Sequence, residues 1–489
     1  MPLAIVLVPT VGGVIAVVIR SHSLRRALLV AIALCHAGLA TAAWLTGDES
    51  MFDGWLAFDA TGRLFLTLNS ALFLAAALYG VGYLARESPG LHRDIEEGGA
   101  FRNEPEAIFT SALLLFLAAM TLVTVSQHFG LLWIAMEATT LASAPLIAFH
   151  RHHRSLEATW KYLLIGSVGI AVALLGNFFL AVATSGPRST DVPLLVDALV
   201  GSADALNVAW LRAAFVCFVV GYGTKMGLAP LHTWLPDAHS EAPSLVSALL
   251  SGALLNCAFL SILRALQVLT AAGQQTFGSE LLVGFGLVSM AVAGVFILGQ
   301  ADYKRLLAYS SVEHMGILAL GVGLGRGAAH GAMLHAVNHS LTKAMLFLVA
   351  GNILAAYQTK STTRIHGLIR ALPVSGVLWV AGFLAITGVP PFGTFLSEFT
   401  ILKGALDQGQ IAIAVLYLAL LGLVFVGMAT AFLGMAQGTP DGSVVRRSES
   451  RWTYAPPAVL ALAVLALGVY VPPALTDALA AAARPLGGT

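Results

Sequence analysis

The sequence predicts an all-α integral membrane protein of about 14 transmembrane helices. Three observations support this fold class: the composition, the lengths of the apolar segments and the charges of the loops. Of the 489 residues, 58% are hydrophobic and 10% are charged, whereas soluble domains carry roughly 25% charged residues. A soluble chain of this size could not cover its surface with so few charges, so the bilayer must solvate most of it. The net charge of +1 gives no sign of a nucleic-acid partner or an acidic substrate.

Fourteen apolar segments approach the length needed to cross the hydrocarbon core, about 20 residues of helix. Such segments must be helical, because backbone groups in lipid have no water to bond. The predicted spans, numbered 1 to 14, are Leu3–Ile19, Ala27–Leu45, Leu64–Leu84, Ala107–Val125, Leu131–Phe149, Tyr162–Val182, Trp210–Trp234, Leu245–Leu269, Leu281–Leu298, Leu306–Leu324, Ala332–Leu354, Val377–Leu402, Ile411–Met435 and Ala458–Val471. Basic residues follow span 1 and none precedes it, which predicts a retained span rather than a cleaved leader.

The chain is predicted to be a single transmembrane domain, residues 1–489, because its polar stretches are only loop-sized. Residues 1–105 hold spans 1 to 3, 106–272 a first repeat, 280–437 a second repeat, and 454–489 a C-terminal helix and tail. The three cysteines lie in apolar segments without a CxxC pair, so no conventional iron–sulfur or zinc site and no cofactor is predicted. Without a catalytic head, the chain is expected to be a non-catalytic membrane subunit.

Lys and Arg are concentrated in alternate loops, as they are on the cytoplasmic side of multi-pass proteins. The loops after odd-numbered spans hold 17 of the 26 basic residues: Arg20, Arg25, Arg26, Arg86, Arg93, Arg102, Arg151, Arg154, Lys161, Lys304, Arg305, Lys360, Arg364, Arg370, Arg446, Arg447 and Arg451. Near the other loops lie Arg63, Arg188, Arg326 and Lys403. The pattern predicts that both termini are outside, and richness in Ala, Leu and Gly suggests a bacterial cytoplasmic (inner) membrane.

Spans 7 and 12 both contain helix-breaking residues in the middle. Span 7 reads GYGTKMGLAPLHTWLPDAHSEAP, with Gly227 and Pro230, and span 12 reads AITGVPPFGTFLSEFTIL, with Gly388, Pro390 and Pro391. Broken helices at matching places mark the ion path of inverted-repeat transporters. Because the breaks lie five spans apart, they predict two inverted five-helix repeats, spans 4–8 and 9–13. Gly and Pro are also common in membrane helices generally, but here each break has an ionisable neighbour.

Two ionisable residues in the first repeat are predicted to form a switching pair. Glu137 sits about six residues from each polar flank of span 5, and Lys225 lies just before the break in span 7. Ionisable groups at this depth cost a few kcal/mol and usually serve function. A dehydrated lysine can hold or release a proton as its neighbour's charge changes. The alternative interpretation is an inert buried salt bridge.

Span 10 opens with DYKRLLAYSSVEHMG. Lys304 and Arg305 can be cytoplasmic anchors, but Glu313 and His314 lie about 13 to 15 Å deeper along the helix axis. That depth places them inside the bilayer.

Span 11 contains HAVNHSLTKAMLF, with His335, His339 and Lys343 at four-residue intervals. Residues at this spacing share one helix face, and histidine titrates near neutral pH. The column is therefore predicted to be a proton relay. A His pair at this spacing also binds zinc, but the sequence shows no third ligand of the HExxH kind, and no metal is predicted.

Three further residues complete the predicted path. Glu398 follows the break in span 12 and would end the path on the far side of the bundle. His232 and His239 follow the break in span 7, with Asp237 and Glu241, and are predicted to face a cytoplasmic vestibule. These residues could either admit protons to Lys225 or simply solvate the loop, and the sequence does not separate the two roles.

At these residues the sequence resembles the antiporter-like membrane subunits shared by respiratory complex I, Mrp sodium–proton antiporters and energy-converting hydrogenases. The matching segments are WIAMEATTLASAPLI around Glu137, GTKMGLAPLHTWLPDAHSEAPS around Lys225, DYKRLLAYSS at Lys304, and HAVNHSLTKAMLF from His335 to Lys343. The resemblance covers spans 4 to 13. The EHMG at Glu313 and the acidic Glu398 look most like the F component of hydrogenase 4 and related formate hydrogenlyase membrane proteins.

The resemblance implies inverted repeats, proton translocation, an input pair of Glu137 and Lys225, and an output site at Glu398. It also implies partners: other membrane subunits and a peripheral redox arm, with protons as the coupling ion and sodium left open. One departure is Asn256, which stands where many relatives carry a lysine in span 8. Asparagine cannot hold a proton, so water or the histidines of span 11 would have to bridge the centre.

Three functions agree with these residues. The first is a proton-pumping subunit of a hydrogenase-type or complex I-like oxidoreductase. The second is an Mrp-type cation–proton antiporter subunit. The third is the proton-conducting membrane partner of a zinc enzyme, such as the carbonic-anhydrase-like arm of an inorganic-carbon accumulation complex. Co-purifying subunits would distinguish the three.

Overall fold

The computed structural model describes residues 1–47, 49–87, 90–94, 97–185, 192–440 and 449–487. Within them, twelve helices are long and apolar enough to cross a membrane. The twelve are His22–Ala42, Ala60–Leu84, Glu106–Val125, Phe129–Ile147, His153–Thr184, Val208–Met226, Ser244–Ala271, Gln275–Ile297, Tyr303–Leu324, Arg326–Tyr357, Ile411–Ala436 and Arg451–Val469. Two shorter apolar helices, Pro2–Val18 and Pro373–Ile386, correspond to span 1 and the first half of span 12, which confirms a multi-pass membrane protein.

Small elements connect the spans. Two antiparallel hairpins pair Ser50–Met51 with Leu56–Ala57 and Leu91–Arg93 with Ala100–Arg102. The remaining helices outside the spans are Val196–Gly201, Leu368–Ala371 and Pro473–Ala483, with 3₁₀ turns at Ala203–Ala205, Thr362–Arg364 and Arg484–Leu486. The positions of the predicted basic residues Arg188, Arg446 and Arg447 lie outside the described residues.

Spans 6 and 11 exceed their predicted lengths by the most. Span 6 runs from His153 to Thr184 and span 11 from Arg326 to Tyr357. Their polar first turns extend beyond the apolar segment, and in span 6 the side chain of His152 accepts a hydrogen bond from the backbone N–H of Ser155. Hydropathy marks the lipid-buried part of a helix, whereas a cap of this kind marks where the helix begins.

The two predicted breaks are confirmed and have the same form. Span 7 ends its first helix at Met226, and a second helix, Trp234–Glu241, follows. Span 12 ends its first helix at Ile386 and resumes as Gly393–Asp407. Gly227 and Gly388 follow the first helices with φ of 84° and 63°, the left-handed conformation that glycine adopts without a steric penalty.

A third irregularity lies in span 8 and was not predicted. After Ser244–Leu249 the helix widens into a π turn at Leu250–Leu254, before continuing as Leu255–Ala271. A Cβ on Gly252 would lie 3.0 Å from the backbone oxygen of Ser340 in span 11, so the two backbones approach closely here. Single π turns in membrane helices often occur at functional sites.

The bundle is built around spans 8, 10 and 11. Spans 8 and 10 are buried along their whole apolar lengths and span 11 along most of its length. Spans 6 and 13 are buried on about a third of their surfaces, and large side chains such as Leu164, Val168 and Phe178 lie exposed on span 6. Lipid therefore faces the outer spans, and the central spans are enclosed by protein.

The basic loops meet at one end of the bundle. Asp237 binds both Lys161, at 2.9 Å, and Arg305, at 2.6 Å, and Lys360 binds Glu241 at 2.8 Å. Asp237 thus binds one basic residue from the connection after span 5 and one from the connection after span 9. This end of the bundle is called the basic end below.

The opposite end is held together around a buried arginine. Arg264 donates hydrogen bonds to the backbone oxygens of Val123, Thr124 and Ser126, where span 4 ends, and to Asp59 at 3.0 Å. A helix C-terminus has unsatisfied carbonyls and a partial negative charge. The guanidinium of Arg264 donates hydrogen bonds to these carbonyls, and its positive charge balances the partial negative charge.

Replacing Arg264 by methionine should lower the stability of the fold by about 3 kcal/mol, because it leaves buried carbonyls and Asp59 without their donor. The measurement is the thermal unfolding midpoint of the detergent-solubilised protein. Arg212→Met is the control, since Arg212 is exposed and bonds only to Gln274 among the described residues apart from a ring contact with Phe277. Equal midpoints for the two variants would show that Arg264 does not anchor span 4.

Candidate functional site

The predicted site residues lie along the interior of the bundle, from span 5 to span 12. Ten of the eleven are buried and Glu137 is half-buried. The buried ones are Lys225, His232, His239, Lys304, Glu313, His314, His335, His339, Lys343 and Glu398. Burial of so many ionisable side chains in an apolar bundle is costly, which makes them a candidate functional site.

Glu137 and Lys225 are linked through Thr140 and form no direct ion pair in the described structure. The amine of Lys225 donates to Oγ1 of Thr140 at 2.9 Å, and Thr140 donates to Oε2 of Glu137 at 3.1 Å. The other oxygen of Glu137 accepts from Ser167 at 3.1 Å. Thr140 lies three residues after Glu137, so both project from the same face of span 5. One hydroxyl thus connects the two ionisable side chains by hydrogen bonds.

Lys225 has a second polar partner in span 6. Its amine donates to the hydroxyl of Tyr162 at 3.0 Å and lies 4.5 Å from the centre of that ring. The Tyr162 hydroxyl is 2.7 Å from Oγ of Ser143. The lysine is thus held by neutral hydroxyls and an aromatic face, which support it in either charge state.

Trp234 separates Lys225 from the next ionisable residue, His239. The indole ring centre lies 6.0 Å from the Lys225 amine and 6.1 Å from the His239 ring. Trp234 is fully buried, and its N–H donates to the backbone oxygen of Thr224. No hydrogen bond joins Lys225 to His239 in the described part of the chain, so Trp234 divides the row into two segments.

The histidines after the break in span 7 point into the protein, contrary to the predicted vestibule. His239 is fully buried with Nδ1 3.0 Å from the backbone oxygen of Leu235, and Nε2 has no partner. His232 packs beside Tyr309. Residues four apart share a helix face, so His239 follows Leu235 into the core, while Glu241 reaches the cavity at the basic end.

That cavity has a volume of about 960 Å³. Its charged and histidine lining is Arg86, Glu87, His92, Arg93, Asp94, His150, His152, Arg154, Glu241, Lys304, Lys360 and Glu449. Burial, with the nearby charges of His152 and Lys304, lowers the pKa of His150 to about 3. His150 therefore stays neutral at physiological pH, and the ion pair of Lys360 and Glu241 lies at the cavity wall.

Lys304 is buried and contacts span 7, whereas from the sequence it could have been only a cytoplasmic anchor at the membrane surface. Its amine is buried and donates to the backbone oxygens of Ser240, at 2.8 Å, and Ala242, at 2.6 Å. These carbonyls end the second helix of span 7, where a cation is favoured. Lys304 thus joins the cavity to the base of span 7, whereas its neighbour Arg305 pairs with Asp237 nearer the surface.

Lys343 occupies the centre of the second segment. Its amine donates to the backbone oxygen of Leu307 at 2.7 Å and to Oγ of Ser310 at 2.6 Å, both in span 10. Glu313 lies one turn further along the same span, and its Oε2 has no hydrogen-bond partner. A lysine and a carboxyl group are thus buried near each other without a direct ion pair among the described contacts.

Asn256 lies just after the π turn of span 8. Its side-chain N–H₂ donates to Oγ of Ser340 at 2.6 Å and to the backbone oxygen of Gly252 at 2.9 Å, while Oδ1 has no partner. The amide therefore ties span 8 to span 11 and presents one free acceptor.

The three deep histidines form a cluster that two spans share. Nδ1 of His314 is 2.8 Å from Nε2 of His335, and Nδ1 of His335 is 3.0 Å from Oγ of Ser397 in span 12. The ring of His339 lies 4.9 Å from that of His314, and neither of its nitrogens has a partner. The predicted column on span 11 is thus completed by His314 on span 10.

Glu398 lies beside the break in span 12. The carboxylate is packed against Gly388, where a Cβ would collide with Oε2, and Oε1 has no partner. The break therefore makes room for the carboxyl group, and Ser397 connects it along the chain to the histidine cluster.

Sequence reasoning missed the hydroxyl groups that connect the ionisable residues. They are Thr140, Ser143, Tyr162, Ser167, Ser310 and Ser397. Their signal was weak, because Ser and Thr in membrane helices usually bond their own backbone. Spacing could have flagged Thr140, three residues from Glu137, and Ser397, adjacent to Glu398.

A family model described as NADH:quinone oxidoreductase/Mrp antiporter, TM matches residues 126–424, more than half of the chain. The chain belongs to this family. It is 35% identical over 424 residues to a hydrogenase-4 component F homolog of Methylacidiphilum infernorum, covering 86% of each chain. This relative bears the hydrogenase 4 component F name that the EHMG motif and Glu398 suggested from the sequence.

Two solved structures share the fold. A chain of the archaeal membrane-bound sulfane sulfur reductase aligns with a TM-score of 0.86 at 21% identity, covering 100% of this chain and 98% of that one. A chain of the Mrp complex from Dietzia sp. aligns with a TM-score of 0.83 at 20% identity, covering 99% and 97%. The antiporter-like subunit fold therefore extends over the whole chain, including spans 1 to 3 and 14.

Proposed function

We propose that this chain is the proton-translocating, antiporter-like membrane subunit of a redox-driven complex of the hydrogenase 4 or complex I type. One observation carries the proposal: ionisable side chains from spans 5, 7, 10, 11 and 12 form a buried row through the bundle, connected in part by hydrogen bonds. The 35% identity to a hydrogenase-4 component F homolog favours the hydrogenase type. The chain supplies no redox centre of its own in this proposal.

The residues of the row have distinct roles in this proposal. Glu137 receives the input charge, and Thr140 passes its effect to Lys225. Lys343 holds the central proton, and Glu398 releases it at the far end. Water molecules carry protons past Trp234 and past Asn256, where no ionisable side chain bridges the row.

The cavity at the basic end is the proposed proton inlet. Its wall contains Glu241 and Lys304, and Lys304 lies next to the base of span 7. We place this end in the cytoplasm of a bacterium and both termini outside the inner membrane, because basic loops remain cytoplasmic. The two repeats, 106–272 and 280–437, then present their breaks from opposite directions.

Purification of the tagged protein from its native host in mild detergent, with mass spectrometry of the co-purifying proteins, tests the assignment of the complex. Iron–sulfur or nickel subunits in stoichiometric amounts would support the redox-driven complex. Small Mrp-type subunits alone, or a zinc enzyme alone, would overturn that part of the proposal and leave the proton row intact.

Replacing Thr140 by valine should slow proton translocation by about tenfold or more, because it removes the hydroxyl between Glu137 and Lys225 without changing side-chain size. The rate is measured in inside-out membrane vesicles with a fluorescent pH indicator. Thr139→Val is the matched control, since the Thr139 hydroxyl bonds only its own helix among the described residues. If both variants pump alike, the hydroxyl does not couple the pair.

A further inference from the structure

His314, His335 and Glu398 come together from three different spans. One ligand atom from each lies within 4.8 Å of the other two, and all three side chains are buried. Two imidazole nitrogens and one carboxylate oxygen make a ligand set that zinc uses in proteins. The sequence predicts no metal, because spacing shows only the pair His335 and His339 and cannot show that spans 10 and 12 supply further ligands.

Two of the three side chains have a polar atom available to a ligand, and the third is oriented by a neighbouring hydroxyl. Oε1 of Glu398 has no hydrogen-bond partner, and Nε2 of His314 makes no well-aligned hydrogen bond, although the backbone oxygen of Ile386 lies near the His314 ring. Both side chains are more than nine-tenths buried. Buried polar atoms are normally satisfied by protein or by water, so these two atoms are available to bind a ligand. His335 is oriented from behind, since its Nδ1 is 3.0 Å from Oγ of Ser397, as the second nitrogen of a metal-binding histidine usually is.

We infer that His314, His335 and Glu398 form a binding site for a divalent transition-metal ion of the zinc type, with water as the fourth ligand. Two nitrogens on a tetrahedral zinc ion stand about 3.3 Å apart, given Zn–N bonds of about 2.0 to 2.1 Å. In the structure Nδ1 of His314 and Nε2 of His335 are 2.8 Å apart. An increase of about half an ångström in this distance, together with a tilt of both rings toward the ion, therefore admits it.

Binding of the ion replaces the hydrogen bond between the two rings, with the ion beside the line that joins the two nitrogens. For the metal to bind Nδ1 of His314, the ring proton moves to Nε2, the nitrogen that makes no well-aligned hydrogen bond in the structure. No net proton loss from the two neutral rings is needed. The residues 387–392, which join the two helices of span 12 and include the half-exposed or exposed Gly388, Val389 and Pro390, offer the ion a route to Glu398.

The chemistry of the ligands selects the ion. Imidazole suits zinc, cobalt and nickel, whereas sodium, magnesium and calcium prefer sites made entirely of oxygen. One carboxylate beside two neutral rings balances part of a double positive charge. If the proposed proton row operates, a bound ion would also block it between the histidine cluster and Glu398; this effect rests on the proposed function, whereas binding itself does not.

Cobalt binding to the purified full-length protein tests the site directly. The protein carries a tag without histidine, and Co²⁺ is titrated while its visible absorption is followed. One tightly bound Co²⁺ per chain, with the intense bands of four-coordinate cobalt and displacement by one Zn²⁺, is expected. His335→Gln and Glu398→Gln should each weaken binding at least tenfold, whereas His339→Gln, a matched change of a neighbouring histidine outside the ligand set, should keep the wild-type affinity.

Ser397→Ala keeps all three ligands and loses only the group that orients His335. It should weaken Co²⁺ binding by about tenfold while the protein elutes in detergent as the wild type does. Zn²⁺ inhibition of proton translocation should shift in parallel in this variant. Absence of stoichiometric Co²⁺ binding in the wild type, or equal binding in all four variants, would overturn the site. Co²⁺ binding to a native complex that transfers electrons but moves no protons would uphold the site and reject the proposed function.

Discussion

Replacing Glu137 by glutamine is expected to abolish proton translocation while the subunit still assembles. Glutamine keeps the size of the side chain, and its one amide oxygen can still accept from Thr140 or Ser167, which donate to different oxygens of Glu137 at 3.1 Å; its N–H₂ can donate to the other hydroxyl. It cannot carry the negative charge that Lys225 senses through Thr140. Loss of a proton-transferring group typically costs two to four orders of magnitude in rate, so we expect no more than about a hundredth of the wild-type rate.

The rate is followed in inside-out vesicles, and assembly by gel filtration of the solubilised protein. Glu157→Gln is the matched control, because Glu157 is exposed on span 6 and forms a surface pair with Lys161. Wild-type rates in the Glu137→Gln vesicles would exclude Glu137 from the path. Loss of assembly in that variant would instead assign Glu137 a structural role.

Replacing Lys343 by methionine should interrupt the row at its centre. Methionine fills a similar volume, so the bundle should still pack, but it cannot donate to Leu307 and Ser310 or hold a proton. A loss of at least about a hundredfold in proton translocation is expected. The measurement is the initial pH change inside proteoliposomes, reported by a trapped dye.

Lys403→Met supplies the comparison for Lys343. Lys403 is exposed at the end of span 12 and pairs with Asp407 on the same helix, so the same chemical change is made outside the row. The Lys403→Met protein should translocate protons at the wild-type rate. Equal losses in both variants would mean that the effect comes from damage to the fold.

The spans and their breaks could be predicted because local chemistry determines them. Long apolar segments must become helices in lipid, and Gly227 and Gly388 occupy positions with positive φ, where glycine is favoured. The π turn at Leu250–Leu254 could not be predicted, because it arises from the close approach of span 8 to Ser340 in span 11. Such an approach is a property of the packed bundle.

The residues of the candidate site were proposed from the sequence one by one, but the contacts between them could not be predicted. Four-residue spacing correctly placed His335 and His339 on one helix, yet it could not show that His314 on span 10 would contact His335. Similarly, Glu137 and Lys225 were predicted as a pair, and Thr140 was found to lie between them. Contacts between helices distant in sequence depend on packing, which periodicity within one helix does not specify.

The most direct test of the central claim, that protons cross the membrane through this row, is the number of protons moved per electron. The native complex is purified, reconstituted into proteoliposomes and compared with its Lys343→Met and Lys403→Met forms at matched rates of electron transfer. We predict fewer protons per electron for the Lys343→Met complex and the wild-type number for the Lys403→Met complex. An unchanged number in the Lys343→Met complex would contradict the account.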